Sequence, residues 1–273
     1  MTHARLKWPG RLLAMAASAT WGQVASAGPL PFREAVRAGD LLLLSGQIGM
    51  DSATGSLVPG GTAAQARQAM TNIVATLGRN GLSVRDLVQC RVFLDDMNEW
   101  AAFNQVYTSF FPDGIYPARS ASGADGLALD AKVEIECTAA FPASPVRYGS
   151  GVAGAPYSQA VANAGQLHIA GIVPFDSSRG RFADSAMEAQ VDQVLANLDA
   201  VLRSAGVGRA DIVSATVVLK DAKDKKVLDD AWSAYFAGQA YPARTLIAGA
   251  DWGRDDLRIE ISAIAALPGG HSR

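Results

Sequence analysis

The tetrapeptide Tyr116-Pro117-Ala118-Arg119 returns 125 residues later as Tyr241-Pro242-Ala243-Arg244, and that interval organises the chain. At the same shift Gly46 falls on Gly171, Gln65 on Gln190, Asn72 on Asn197, Gly81 on Gly206, Asp96 on Asp221 and Phe111 on Phe236. A register this long without gaps marks a duplicated domain, and a period of this size makes two folding units rather than a solenoid. With 273 residues, 49% of them hydrophobic and 18% charged, the chain can bury a sizeable core in each unit.

Both units show the same succession of patterns. An apolar run, Leu41 to Ile48 or Leu167 to Val173, leads to an Asp and a Gly-containing turn, as a strand leads into a hairpin. Ala69, Ile73, Val74 and Leu77 in the first unit, and Val191, Val194, Leu195 and Leu198 in the second, recur at helical spacing, with Gly81 and Gly206 where helix-ending glycines belong. The β-branched stretches Leu87 to Leu94 and Ile212 to Leu219 read as strands. A second helix carries an aromatic stripe (Trp100, Phe103, Tyr107 and Phe111; Trp232, Tyr235 and Phe236) whose first reading is core packing. A last strand, Lys132 to Phe141 or Leu257 to Ala265, closes each unit. Strands interleaved with helices in this way make an α+β or α/β domain with helices on one sheet face.

Residues 1–27 have the form of an export signal: Arg5, Lys7 and Arg11 without an acid, an apolar run from Leu12 to Ala19, and Ala25-Ser26-Ala27 as a small-x-small cleavage site. A disordered tail and a membrane anchor are the alternatives, but the run is well under the roughly 20 residues that span a bilayer. The expected organisation is signal peptide 1–27, first domain 28–143, linker 144–155, second domain 156–268 and tail 269–273, in a periplasmic or secreted protein. Without the signal, 21 basic residues face 26 acidic ones, so the body has no electrostatic reason to seek nucleic acid. Cys90 and Cys137 are the only cysteines. An oxidising compartment permits a bridge if their Cα atoms lie within about 7 Å, but two separate buried thiols are the expectation.

Counting excludes much chemistry. His3, His168 and His271 are the only histidines and lie in the signal, a strand and the tail, which leaves neither a His-based triad nor a multi-His metal site. No phosphate loop, dinucleotide fingerprint or Cys-x-x-Cys pair occurs. What remains is an arginine and a carboxylate, repeated. Arg119 follows a Pro, and Glu134 and Glu136 project from one face of the strand that turns Val133 and Ile135 to the other. A guanidinium fork suits a substrate carboxylate, and a nearby carboxylate can orient or deprotonate water. A structural Arg119–Glu134 salt bridge is the competing reading.

Ser45-Gly46-Gln47-Ile48, Phe103-Asn104-Gln105-Val106-Tyr107, Tyr116-Pro117-Ala118-Arg119-Ser120 and Val133-Glu134-Ile135-Glu136 resemble the RidA/YjgF family of enamine/imine deaminases. The second unit is similar through Pro156-Tyr157-Ser158-Gln159, Ala170-Gly171, Tyr241-Pro242-Ala243-Arg244 and Arg258-Ile259-Glu260-Ile261. The resemblance implies two tandem chorismate-mutase-like α+β domains, each a mixed β-sheet with two helices on one face, associating with ligand clefts between domains. It implies hydrolysis of small 2-imino acids to 2-oxo acids and ammonia, with no metal and no organic cofactor. It places the carboxylate-binding arginine at Arg119 and Arg244 and the water-positioning glutamate at Glu134 and Glu260, with Ser45, Gly46, Ser120, Tyr157 and Gly171 lining the substrate clefts. Self-association is expected, with a trimer of tandem chains favoured.

The departures from the family pattern divide the units. Phe32 stands where the family has Tyr, whereas the second unit keeps Tyr157; Ala170 stands opposite Ser45. The second unit also has one extra residue between Arg244 and Glu260. These differences favour sites shared between domains, combining Arg119, Glu134 and Ser45 with Tyr157, and make Arg119 with Glu134 the favoured catalytic pair. A non-catalytic binder of small carboxylates is the alternative function, while a nuclease is disfavoured by the acidic body and the lack of an interleaved basic and aromatic stretch.

Overall fold

Apolar residues spaced for one helix face or alternating along strands produce two copies of one α+β arrangement in a computed structural model that describes residues 32–141, 145–149 and 155–268. The proposed signal and tail lie outside the described residues. The first copy runs β1 (Ala35–Ala38), β2 (Leu41–Leu44), β3 (Gln47–Ile48), β4 (Met50–Asp51), β5 (Ser56–Leu57), α1 (Gly61–Arg79), β6 (Leu87–Leu94), α2 (Trp100–Ser109), β7 (Ala118–Gly123) and β8 (Val133–Ala140). The second runs β9 (Val146–Tyr148), β10 (Ala160–Asn163), β11 (Gln166–Ile172), β12 (Phe175–Asp176), β13 (Arg181–Phe182), α3 (Met187–Ser204), β14 (Ile212–Leu219), α4 (Lys225–Tyr235), β15 (Ala243–Ala248) and β16 (Ile259–Ala266).

The main sheets have orders β1-β2-β8-β6-β7, with β3 also on β8, and β9-β10-β11-β16-β14-β15. Each is antiparallel except at β6/β7 and β14/β15. The sequence spacing of the linker suggests no structure there, but Val146–Tyr148 pairs with β10 and becomes the edge of the second sheet. Its amides find ladder partners, and Arg147 donates to the carbonyls of Tyr116 and Arg85, at 3.1 and 2.7 Å, stitching this strand to the first domain.

Alternation along β8 decides what faces what. Val133, Ile135, Cys137 and Ala139 turn to the core beneath α1 and α2, where Ala69, Met70, Ile73 and Leu77 are fully buried. Cys90 and Cys137 are direct partners across β6 and β8, with Cα atoms 4.2 Å apart, and they form a disulfide, correcting the expectation of two separate thiols. The two cysteines are far apart in sequence but the register makes them neighbours. Closing a 47-residue interval removes unfolded-state entropy worth about 4 kcal/mol in the loop-closure relation. Reduction is therefore expected to lower unfolding stability by about 2–4 kcal/mol, read as a shift in denaturant midpoint with and without reductant.

The two domains meet through small side chains. Val88, Ala118, Ala140, Val161 and Ala170 form one buried apolar cluster drawn from both. Ala118 bridges Ser158, whose N–H reaches the Pro117 carbonyl at 3.0 Å and whose hydroxyl reaches the Tyr116 carbonyl at 2.7 Å. At the far end of β7 the Gly123 N–H donates to the Asp251 carbonyl at 2.7 Å. A side chain at Gly123 would come within 3.2 Å of the Asp251 Cβ, so glycine permits this approach. Both ends of β7 are thus fixed by the second domain.

Candidate active site

Ala118 faces the apolar cluster between the domains, so strand alternation turns Arg119 to the helix side of its sheet. There Trp100, Asn104 and Tyr107, spaced along one face of α2, receive it. The Arg119 Nη1 donates to Asn104 Oδ1 at 2.9 Å, and the guanidinium carbon lies 4.8 and 4.7 Å from the ring centres of Trp100 and Tyr107. Arg119 is only 3% exposed, and burial lowers its pKa, though a guanidinium stays protonated. The aromatic faces offset part of the cost of burying that charge. Among the described residues Arg119 forms no ion pair. The hydroxyl of Tyr107 is buried there without a hydrogen-bond partner.

Glu260 approaches from the second domain. At the start of its strand, Gln190 of α3 accepts from the Arg258 N–H at 2.9 Å and donates to the Asp256 carbonyl at 2.6 Å. The carboxyl then lies over Gly171, where an added Cβ would stand 2.3 Å from Oε1. Burial pushes the Glu260 carboxyl up to about 8; Trp252 and the Arg119 charge pull the other way without overcoming it. Gly171→Ala is expected to displace this carboxyl and lower kcat/KM at least about tenfold while the fold persists, checked by steady-state rates alongside circular dichroism.

Arg119 and Glu260 border one cleft of about 390 Å³ between the domains, walled by Trp100, Tyr157, Phe182, Trp252 and Leu257. The Tyr157 ring centre lies 6.0 Å from the Arg119 guanidinium. A cation, a carboxyl that holds its proton at neutral pH and an apolar wall can together bind a small carboxylate and move a proton beside it. Glu260 also borders a second cavity of about 540 Å³ between the two sheets, where Ser120, Arg91 and Glu136 lie. No group of His, Cys, Asp and Glu fit to hold a metal occurs among the described residues.

The favoured pairing of Arg119 with Glu134 is not what the fold provides. Arg119 sits beside Cys90 on the helix face, whereas Glu134 sits beside Phe93, one alternation out, on the opposite face of the same sheet. Arg244 and Glu260 are divided the same way across β15, β14 and β16. Each arginine can therefore meet only another domain's glutamate. Glu134 packs over Gly46 as Glu260 packs over Gly171, but outside the Arg119 cleft. The Ser45 hydroxyl is turned to the Arg33 carbonyl at 2.7 Å, and Ser120, next to Arg119, faces the other cavity. Tyr157 and Gly171 do line the Arg119 cleft.

Two features escape a reading by motif. Trp252 lies in the irregular stretch before β16, where no periodicity operates. Asn104 has a signal that the repeat supplies: its counterpart 125 residues on is Asp229. Asp229 accepts from Arg244 at 2.6 Å, so the second arginine is ion-paired where the first meets a neutral amide. Hydrogen bonds from Lys225 and Arg244 hold the Asp229 carboxyl below the usual range.

The Endoribonuclease L-PSP family profile matches residues 23–141 and again 150–267. A 2-iminobutanoate/2-iminopropanoate deaminase of Escherichia coli K12 is 40% identical over 111 residues, which are 40% of this chain and 86% of that protein. The enzyme of the same name from Bos taurus is 40% identical over 109 residues, 40% of this chain and 79% of that protein. Among solved structures, the E. coli YjgF gene product is 38% identical with a TM-score of 0.39, covering 41% of this chain and 88% of its own.

Proposed function

The chain belongs to the Endoribonuclease L-PSP family, the family of the RidA/YjgF proteins, and we propose that its cleft between domains hydrolyses 2-imino acids, or their enamine tautomers, to 2-oxo acids and ammonia. The observation that carries this reading is the buried Arg119, held by a neutral amide rather than an acid, facing a protonated Glu260 across the cleft. A carboxylate entering beside Arg119 gains a charge-assisted, two-pronged contact with a guanidinium that is itself buried. That contact places the imine carbon and nitrogen beside Glu260.

The Glu260 carboxyl gives its proton to the imine nitrogen, which makes the carbon electrophilic. The carboxylate so formed takes a proton from the water that adds to that carbon, leaving a carbinolamine. Protonation of its nitrogen by Glu260 breaks the C–N bond, and loss of the hydroxyl proton leaves the 2-oxo acid and ammonia. One water is consumed and the carboxyl is regenerated. The two relatives named as deaminases support assigning this reaction class.

Full-length protein incubated with enzymatically generated 2-iminopropanoate is expected to speed pyruvate and ammonia release over buffer. Release at the buffer rate, with a 2-oxo acid still bound, would instead make the cleft a carboxylate receptor. Glu134 with Gly46, and Arg244 with Asp229, remain as separate halves. We propose that self-association of tandem chains, three copies and six domains, joins such halves from different copies; the mass in solution tests it.

A further inference from the structure

We infer that the cleft between the domains selects 2-imino acids with a large apolar side chain, aromatic ones foremost, over those with a methyl or ethyl side chain. This rests on the reading that Arg119 holds the substrate carboxylate. With the carboxylate at Arg119 and the reacting carbon beside Glu260, the substrate side chain must occupy the rest of a cleft of about 390 Å³. A methyl group would leave most of that space to water against apolar walls.

Those walls come from Met97 and Trp100 on the first domain and from Val173, Phe182, Trp252 and Leu257 on the second. They are held firmly. Trp252 and Leu257 belong to one buried apolar cluster with Ala250, against which Val173 and Phe182 pack. The neighbouring Asp251 carbonyl takes the Gly123 N–H, tying this stretch to the end of β7. The Arg254 guanidinium covers Phe182, 4.1 Å from its ring centre, and is ion-paired with Asp256 at 2.8 Å at the solvent-exposed rim of the cleft.

Trp252 stands at the reacting end of the cleft. It is 9% exposed, and its indole N–H is directed at the Glu260 carboxyl, whose pKa it lowers. The same indole then offers its ring to the substrate side chain. Aromatic rings gain from such surfaces through apolar burial and offset or edge contacts.

The test uses the full chain and two 2-oxo acids, pyruvate and phenylpyruvate, titrated by calorimetry. Phenylpyruvate is expected to bind at least about tenfold more tightly, from the apolar area it buries. Trp252→Ala and Phe182→Ala should each bring the ratio toward one, and Trp252→Phe should keep most of it; circular dichroism checks that each variant is folded. A parallel assay follows release from imines that an amino-acid oxidase makes from alanine and phenylalanine. Equal affinity, or tighter binding of pyruvate, overturns the inference even if both imines are hydrolysed. A preserved binding preference without hydrolysis of either imine upholds the selectivity and overturns the deaminase reading.

Discussion

Glu260→Gln is expected to lower kcat/KM by about 10²–10⁴-fold, the span associated with losing a positioned proton donor and acceptor. Glutamine keeps the shape that fits above Gly171 but can neither deliver a proton to nitrogen nor take one from water. Binding of a 2-oxo acid should survive, because Arg119 remains. The pH profile gives a second measure. With the carboxyl pushed up to about 8 by burial, the proton-donating form prevails below that pH, so kcat/KM for the neutral imine falls as pH rises through about 8. In the glutamine variant that limb disappears.

Stability carries the same signature. The unfolded carboxyl releases its proton near 4.5, while the folded one retains it to about 8. Between those values the native state holds one more proton than the unfolded state, so this group's contribution is greatest at low pH and declines as pH rises through the window. Denaturant titrations from pH 5 to 8 should show this decline in the wild type and a flatter trend in Glu260→Gln.

Arg119→Ala should lower kcat/KM by about 10²–10³-fold, chiefly through KM, since a buried charged contact to the ligand is removed. Arg119→Lys should recover only part, because an ammonium lacks the planar fork and fits the stack between Trp100 and Tyr107 poorly. Arg244→Ala should change the same rate less than about threefold: its guanidinium is engaged by Asp229 and lies outside the cleft. Steady-state kinetics on all three, with thermal midpoints to verify folding, separate the two arginines. A comparable loss at Arg244 would contradict the assignment of turnover to the cleft with Arg119.

The duplication, and which strands carry the arginines and glutamates, were legible because the 125-residue register and the strand and helix periods are properties of the chain itself. Their pairing was not. Whether Arg119 shares a face with Glu134 depends on how β7, β6 and β8 align, and one residue of offset reverses the answer. Proximity along the sequence favoured the partner in the same unit, while the sheet sent that partner to the other face. The Cys90–Cys137 bridge was hidden for the same reason, since direct opposition on neighbouring strands is a fact of register. Val146–Tyr148 carries no strand signal because a three-residue edge strand leaves too short a pattern amid Pro, Gly and Ser. Trp252 lies in an irregular segment packed on its own domain and bonded to the first through the Asp251 carbonyl, contacts that no local period encodes.

The backbone bridges at Ala118–Ser158 and Gly123–Asp251 join the two walls of the cleft within one polypeptide. A cleft assembled from free subunits is a bimolecular object, populated only while concentration exceeds a dissociation constant. Here the second wall is present at a fixed effective concentration set by the tether, however dilute the protein becomes. Dilution can then empty any cleft that depends on another copy, but the one joining Arg119 to Glu260 travels with every chain.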